Sequence, residues 1–192
     1  IIAPGTGCAA LTDTITLTRH AFQTGCAGTL ILPPYYYKPV EEEGLYRSFA
    51  TVIEDIADNG LNVYLYHIPP FSGVPLEIGL IKRLVKDFPH NVVGLKDSSG
   101  VWAYTDTLLK TLPDFGVFSG SEVFLRDNLL AKGCGTITAS ANINAPAICS
   151  LFEHWDGSNG ILKQAEITAI RKAVQKFPLI QALKAVVADN LK

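Results

Sequence analysis

Hydrophobic and polar positions along the chain repeat one pattern. A short apolar run rich in β-branched residues gives way to a polar loop, and then to a longer stretch with apolar residues at helical spacing. The runs at 28–32, 62–66, 91–96, 115–119 and 135–138 are predicted strands, and residues 1–3 read as the end of another. The spacing predicts helices over about 12–24, 42–58, 76–87, 102–111, 122–132 and 146–154, with Thr12-Asp13 able to cap the first. Two further helices, over about 161–176 and 178–190, close the chain.

Short apolar strands that alternate with helices describe an α/β chain whose parallel sheet is covered on both faces. An open doubly wound sheet accommodates six such strands. However, no GxGxxG segment follows the first strand, and Gly5-Thr6-Gly7 is a partial echo that reads as a turn. The alternative is a (β/α)8 TIM barrel with extra C-terminal helices, its first two βα units missing from this chain. That fold typically takes about 250 residues, and two units of about 30 residues each added to these 192 approach that figure. Residues 1–158 would then carry strands three to eight of the barrel with their helices, and residues 159–192 a C-terminal helical extension. The apolar start, Ile1-Ile2-Ala3-Pro4, and the lack of any methionine point the same way.

Composition narrows the function classes. With 48% hydrophobic and 18% charged residues and a net charge of −2, the chain reads as globular rather than disordered. No basic stripe with interleaved aromatics suggests nucleic acid, and no apolar run approaches the roughly 20 residues of a membrane span. Cys8, Cys26, Cys134 and Cys149 match no zinc spacing and are expected to be reduced, mostly buried thiols of a cytoplasmic protein. The histidines at 20, 67, 90 and 154 show no paired ligand spacing, so no metal and no cofactor is expected.

Active residues of a barrel lie at the C-terminal ends of its strands. Those ends carry Tyr35-Tyr36-Tyr37, Tyr66-His67, Lys96, Ser119-Gly120-Ser121 and Ile137-Thr138. A lysine that loses hydration in an apolar pocket favours the neutral amine, which attacks ketones and aldehydes to form a Schiff base. Tyr66 ends the strand next to that of Lys96, and a phenol there would relay protons. The pattern also admits a plainer reading. In it, Lys96 opens a solvated loop and reaches water along its stem, while Asp97 makes a surface ion pair of little worth. Tyr64 and Tyr66 are then core-facing strand formers, the three successive tyrosines an interface patch, and His67 a structural hydrogen-bonding group. The run Asp97-Ser98-Ser99-Gly100 becomes a turn whose serine caps the next helix.

Five segments in order carry a resemblance: PPYYYKPVEEEGLYRSF (33–49), YLYHIPPFSGVPL (64–76), VVGLKDSSG (92–100), FSGSEVF (118–124) and GCGTITASANI (133–143). The chain resembles, over nearly its whole length, the dihydrodipicolinate synthase / N-acetylneuraminate lyase family of Schiff-base class I aldolases. The resemblance implies an eight-stranded barrel with C-terminal helices. It assigns Lys96 as the Schiff-base lysine and Tyr66 as the proton-relaying tyrosine beside it. Tyr36 matches a second tyrosine that, in synthase-like members, reaches a neighbouring subunit's site. Gly120 and Ile137 match backbone positions that line the keto-acid pocket. A cytoplasmic homotetramer acting on a small 2-keto acid and an aldehyde is what the family suggests.

Departures from the family pattern shape the expectation. The family's GTTGE-type segment, which binds the keto-acid carboxylate, is expected before Ile1. Synthases usually carry an arginine two residues after the proline that follows the strand tyrosine, whereas here Pro69 is followed by Pro70 and Phe71. Sialic-acid lyases tend to carry an acidic pair where this chain reads Ser121-Glu122-Val123; Glu122 also suits the first turn of a helix. The expected function is therefore a lyase or aldolase that joins or cleaves a C–C bond between pyruvate, or a related 2-keto acid, and an aldehyde. The alternatives are 4-hydroxy-tetrahydrodipicolinate synthase and, in another class, a non-catalytic keto-acid-binding homologue.

Overall fold

The structure, a computed structural model, describes residues 2–58 and 60–190. The chain divides into two compact units. One runs to Ser99 and takes in Asp114–Gly116; the other comprises Gly100–Pro113 and the chain from Val117 onward.

The first unit contains α1 (Leu11–Gln23), β1 (Thr29–Ile31), α2 (Glu42–Ile56), β2 (Val63–His67), α3 (Pro69–Ser72), α4 (Ile78–Asp87) and β3 (Val92–Asp97). β1 pairs with β2, and β2 with β3, all parallel. Side chains alternate across a strand. Val63 and Leu65 of β2 are therefore fully buried, while Tyr64 and Tyr66 point the other way and stay half-buried. Leu45, Phe49, Val52 and Ile53 form the buried stripe of α2, and Leu80, Ile81 and Leu84 that of α4. Each such side chain contributes roughly 1.5–3 kcal/mol on burial.

Three local expectations change. Of the strand end expected at 1–3, Ile1 lies outside the described residues; Ile2 and Ala3 are not in a strand, and the segment that follows makes an isolated parallel bridge, Gly5 to Leu30. Around that bridge, the Leu30 N–H donates to the Pro4 carbonyl at 2.9 Å and the Thr6 N–H to the Leu30 carbonyl at 3.1 Å. Ala10, not Thr12 or Asp13, holds the N-cap position of α1, and its side chain offers no acceptor. The short α3 was not anticipated. Pro69 and Pro70 begin it, at positions where a missing N–H is tolerated, and Gly73 ends it in the left-handed region at φ 64°.

The pairing of β2 with β3 is irregular at one point. Val63 pairs with Val92, but Tyr64 pairs with Gly94, so Val93 is an extra residue in β3. The shift changes the phase of everything after it: Leu65 then pairs with Leu95, Tyr66 with Lys96, and His67 with Asp97. Val92 and Leu95 both reach the buried layer although they are an odd number of positions apart. Gly94 permits the close approach. A Cβ there would stand 2.4 Å from the Gly116 carbonyl oxygen and 2.7 Å from the Tyr64 ring.

The second unit contains α5 (Trp102–Thr111), most of β4 (Gly116–Ser119), a 3-10 turn at Glu122–Phe124, α6 (Leu125–Leu130), β5 (Gly135–Thr136), α7 (Ala141–Glu153), α8 (Gly157–Val174) and α9 (Leu179–Asn190). β4 and β5 pair in parallel through Phe118–Gly135 and Ser119–Thr136. The buried Asn128 amide joins three segments: its Nδ2 donates to the Val117 carbonyl at 3.2 Å, and its Oδ1 accepts from the Gly135 N–H at 2.8 Å. Leu125, Ile148, Leu151 and Ile167 form the apolar core, with Leu129, Ala147 and Trp155 against it. α7 starts earlier than the predicted 146–154 helix and is broken at Asn144 (φ −141°, ψ 28°), two residues before Pro146, whose ring disfavours a regular preceding turn.

The predicted strand at 135–138 stops at Thr136. Beyond it, the Thr138 hydroxyl donates to Glu122 Oε2 at 2.6 Å. Arg171 of α8 donates through Nη1 to the same carboxylate oxygen at 3.4 Å, to Thr138 Oγ1 at 3.2 Å and to Ser140 Oγ at 3.0 Å. Glu122 is fully buried and Arg171 nearly so. Glu122 does open a helical turn, as its sequence position suggests, and its carboxylate is committed to an internal ion pair. All four cysteines are free thiols, as expected, but they are less buried than expected: Cys8 and Cys26 are half-buried, and Cys134 and Cys149 are exposed.

Two stability measurements follow from this packing. Gly94→Ala is expected to lose at least about 1–3 kcal/mol in urea unfolding, because backbone and a packed ring must move to admit the methyl group. Arg171→Met strands a buried carboxylate and is expected to lose about 3–5 kcal/mol by the same measurement.

Candidate active site

Tyr66 and Lys96 occupy paired positions near the ends of β2 and β3 and point to the half-buried face. Lys96 Nζ donates to Tyr66 Oη at 3.0 Å and lies 4.2 Å from the centre of the tyrosine ring. That contact lies within the range for direct proton transfer between phenol and amine. Lys96 is inside β3 rather than at the start of a loop, so the snorkelling reading does not describe it.

The next pair along the strands faces the buried layer. His67 Nδ1 lies 3.4 Å from Asp97 Oδ1, with both side chains almost wholly enclosed at 4% and 2% exposure. The Ser99 N–H donates to Asp97 Oδ1 at 2.9 Å, and the Ser98 N–H donates to the His67 carbonyl at 2.7 Å. Asp97 is therefore an interior group, not half of a surface ion pair. The N-cap position of α5 is held by Val101, whose own side chain makes no capping bond. Burial pushes the His67 imidazole below its ordinary value of 6.5, and the neighbouring Asp97 carboxylate partly opposes the shift.

The other expected site residues come from other segments of the chain. Tyr36 follows β1, is 70% exposed and packs edge-on against Tyr37 at 5.2 Å; no hydrogen bond joins it to Lys96 or Tyr66. Gly120 and Ile137 belong to the second unit. Gly120 follows β4 directly, and Ile137 donates its N–H to the Ser119 carbonyl at 2.9 Å while its side chain is 40% exposed. Phe71, on α3, is 76% exposed. The His67–Asp97 contact was not foreseen from the sequence, although a lone glycine inside an apolar run, Gly94, is the usual mark of the bulge that sets these partners opposite one another. Among the described residues, no cluster of three or more His, Cys, Asp or Glu side chains is arranged to hold a metal ion, and no helix is long and apolar enough to cross a membrane.

His67 has a consequence for stability. Its folded value lies below 6.5, so below that pH the unfolded chain binds a proton that the folded chain resists. Its contribution is present above pH 6.5 and is lost as the pH falls. Wild-type protein is expected to lose stability between pH 6.5 and 5 more steeply than His67→Asn, as measured by urea unfolding at each pH.

Known proteins share this arrangement of elements. The sequence model of the dihydrodipicolinate synthetase family matches residues 1–189. A relative described as an uncharacterized DapA-like lyase, from Chloroflexus aurantiacus, is 34% identical over 96% of this chain and 62% of its own length. The 4-hydroxy-tetrahydrodipicolinate synthase of Thermus thermophilus is 42% identical over 73% of this chain and 46% of its own. Among solved structures, YagE of Escherichia coli K12, a prophage protein crystallised in complex with pyruvate, superposes with a TM-score of 0.87 at 29% identity, over 96% of this chain and 63% of that one. The chain thus spans about half to two-thirds of the length of these proteins. With the family match running through both units, from the segment before β1 to α9, the chain belongs to the dihydrodipicolinate synthetase family.

Proposed function

We propose that this protein is a Schiff-base aldolase or lyase that uses pyruvate or a related 2-keto acid. The observation that carries the reading is the 3.0 Å contact between Lys96 Nζ and Tyr66 Oη on adjoining strands. The Lys96 amine attacks C2 of the keto acid to give a carbinolamine, and loss of water leaves the iminium. Loss of a proton from C3 gives the enamine, whose C3 forms the new bond to an aldehyde carbon as the aldehyde oxygen takes up a proton. Water then adds to the iminium, releasing the product and restoring the lysine. Cleavage runs these steps in reverse. Tyr66 relays protons to and from the carbinolamine oxygen and the amine.

In the same reading Tyr36 serves as the second tyrosine, Gly120 and Ile137 contribute backbone to the keto-acid pocket, and the active protein is a cytoplasmic homotetramer with a barrel of eight βα units. The pyruvate bound in YagE supports the keto-acid half. Phe71, which cannot pair with a carboxylate, favours an apolar or aromatic aldehyde over aspartate semialdehyde, and a sugar-acid fragment is the other candidate. A second reading, 4-hydroxy-tetrahydrodipicolinate synthase, is favoured by the 42% identity to the Thermus enzyme.

The test uses the full-length protein incubated with pyruvate, reduced with borohydride and digested. A pyruvate adduct on the peptide carrying Lys96 is expected, and Lys96→Ala is expected to abolish it. Pyruvate that binds without an adduct would favour a non-catalytic keto-acid-binding protein. Rapid condensation with aspartate semialdehyde would favour the synthase.

A further inference from the structure

In the second unit, the turns that follow β4 and β5 are joined by side-chain hydrogen bonds. The pairing of the two strands ends at Ser119–Thr136, and the Ile137 N–H extends it by one bond, to the Ser119 carbonyl at 2.9 Å. Side chains then take over. The Thr138 hydroxyl donates to Glu122 Oε2 at 2.6 Å and accepts from Arg171 Nη1 at 3.2 Å. A hydroxyl gives one such bond and has lone pairs to accept others, so the two roles are compatible. The same arginine nitrogen donates to Ser140 Oγ at 3.0 Å. α8 grips both turns from one side: Gln164, two helical turns before Arg171 and on the same face, donates through Nε2 to the Glu122 carbonyl at 3.0 Å. Glu122 and Ser140 are fully buried and Arg171 nearly so. Water therefore competes little for these bonds, and those to a charged group are the strong ones.

This chain of bonds spans the two positions that the proposed function gives to the keto-acid pocket. Glu122 lies two residues past Gly120, and Thr138 follows Ile137 directly. We propose that Thr138 is a positioning residue: its hydroxyl, held between Glu122 and Arg171, sets the backbone of Ile137 against that of Ser119 and Gly120 and so fixes one wall of that pocket. The inference rests on the proposed role of Gly120 and Ile137. Thr138, Glu122 and Arg171 are not catalytic residues; they act through the backbone beside them.

The test compares Thr138→Val, which keeps the branched shape and loses the hydroxyl, with Thr138→Ser, which keeps the hydroxyl. Its first readout is deuterium uptake at the Ile137 amide of the full-length protein, followed by mass spectrometry of overlapping peptides. Uptake is expected to be about tenfold faster in Thr138→Val than in Thr138→Ser, the loss of one bond to a charged group. The Gly135 amide, bonded to Asn128 Oδ1, is expected to keep its rate. The second readout is exchange of the pyruvate methyl protons for deuterium, followed by proton NMR over a range of pyruvate concentrations; enamine formation drives it without an aldehyde. KM for pyruvate is expected to rise about tenfold in Thr138→Val and to match wild type in Thr138→Ser, with maximal rates within about threefold of one another. A loss of folded protein would instead lower the maximal rate and leave KM alone. Should Thr138→Val fail to fold, Thr138→Cys takes its place: the thiol is a weak donor, and KM is expected at least about threefold above that of Thr138→Ser.

An Ile137 amide that exchanges at one rate with and without the hydroxyl, or a loss confined to the maximal rate, overturns the proposal. If wild-type protein catalyses no exchange of pyruvate protons, the keto-acid reading fails by itself. The Ile137 amide alone then decides whether Thr138 holds this backbone in place.

Discussion

Everything at the candidate site depends on the one extra residue in β3. In a regular parallel pair starting from Val63 opposite Val92, Lys96 would stand opposite His67, and Tyr66 opposite Leu95. The lysine and the phenol would then lie on opposite faces of the sheet, because a slip of one residue turns every later side chain over. The bulge at Val93 prevents this, and Gly94 makes it sterically possible by leaving room for the Tyr64 ring and the Gly116 carbonyl. The contact between Lys96 and Tyr66 is thus set by backbone geometry two to three residues upstream of the lysine.

Each unit also encloses one acid–base pair where apolar residues would ordinarily serve. In the first, His67 meets Asp97 beneath the strand ends; in the second, Arg171 reaches from α8 to Glu122 and to the hydroxyls of Thr138 and Ser140. Buried pairs of this kind add little net stability, since desolvation offsets most of their attraction, but leaving one partner alone is strongly unfavourable. The Arg171 guanidinium specifies the path of the chain where it leaves β5, just past Ile137.

Much of the fold was legible because the signals were local. α5 begins and ends where the helical spacing of Trp102–Thr111 predicts, and β3 lies one residue from its predicted span. What was missed depended on partners distant in sequence. Nothing near Glu122 announces that Arg171, far along the chain, will pair with it, so its first-turn position was legible but its buried partner was not. The exposure of Cys134 and Cys149 likewise follows from which neighbours cover them, a tertiary property that residue type does not specify. Lys96 and Tyr66 were picked out correctly as neighbours, but by the rule that functional groups collect at strand ends; the bulge that brings them together left only Gly94 as a trace.

The contrast in exposure between Phe71 and the strand pairs bears on how such a protein diversifies. Phe71 and Tyr36 stand largely in solvent on α3 and on the loop after β1, outside the packed layer. Substitutions at such positions usually change stability by less than about 0.5 kcal/mol, whereas the interior of β2 and β3 tolerates almost no change of volume. Substitutions at the surface of α3 and of the loop after β1 are therefore tolerated by the fold, whatever they do to binding, while the packed strands are not so forgiving. In a laboratory evolution experiment, a library confined to these exposed positions should retain a high fraction of folded members, while one spread across the strands would be lost mostly to misfolding.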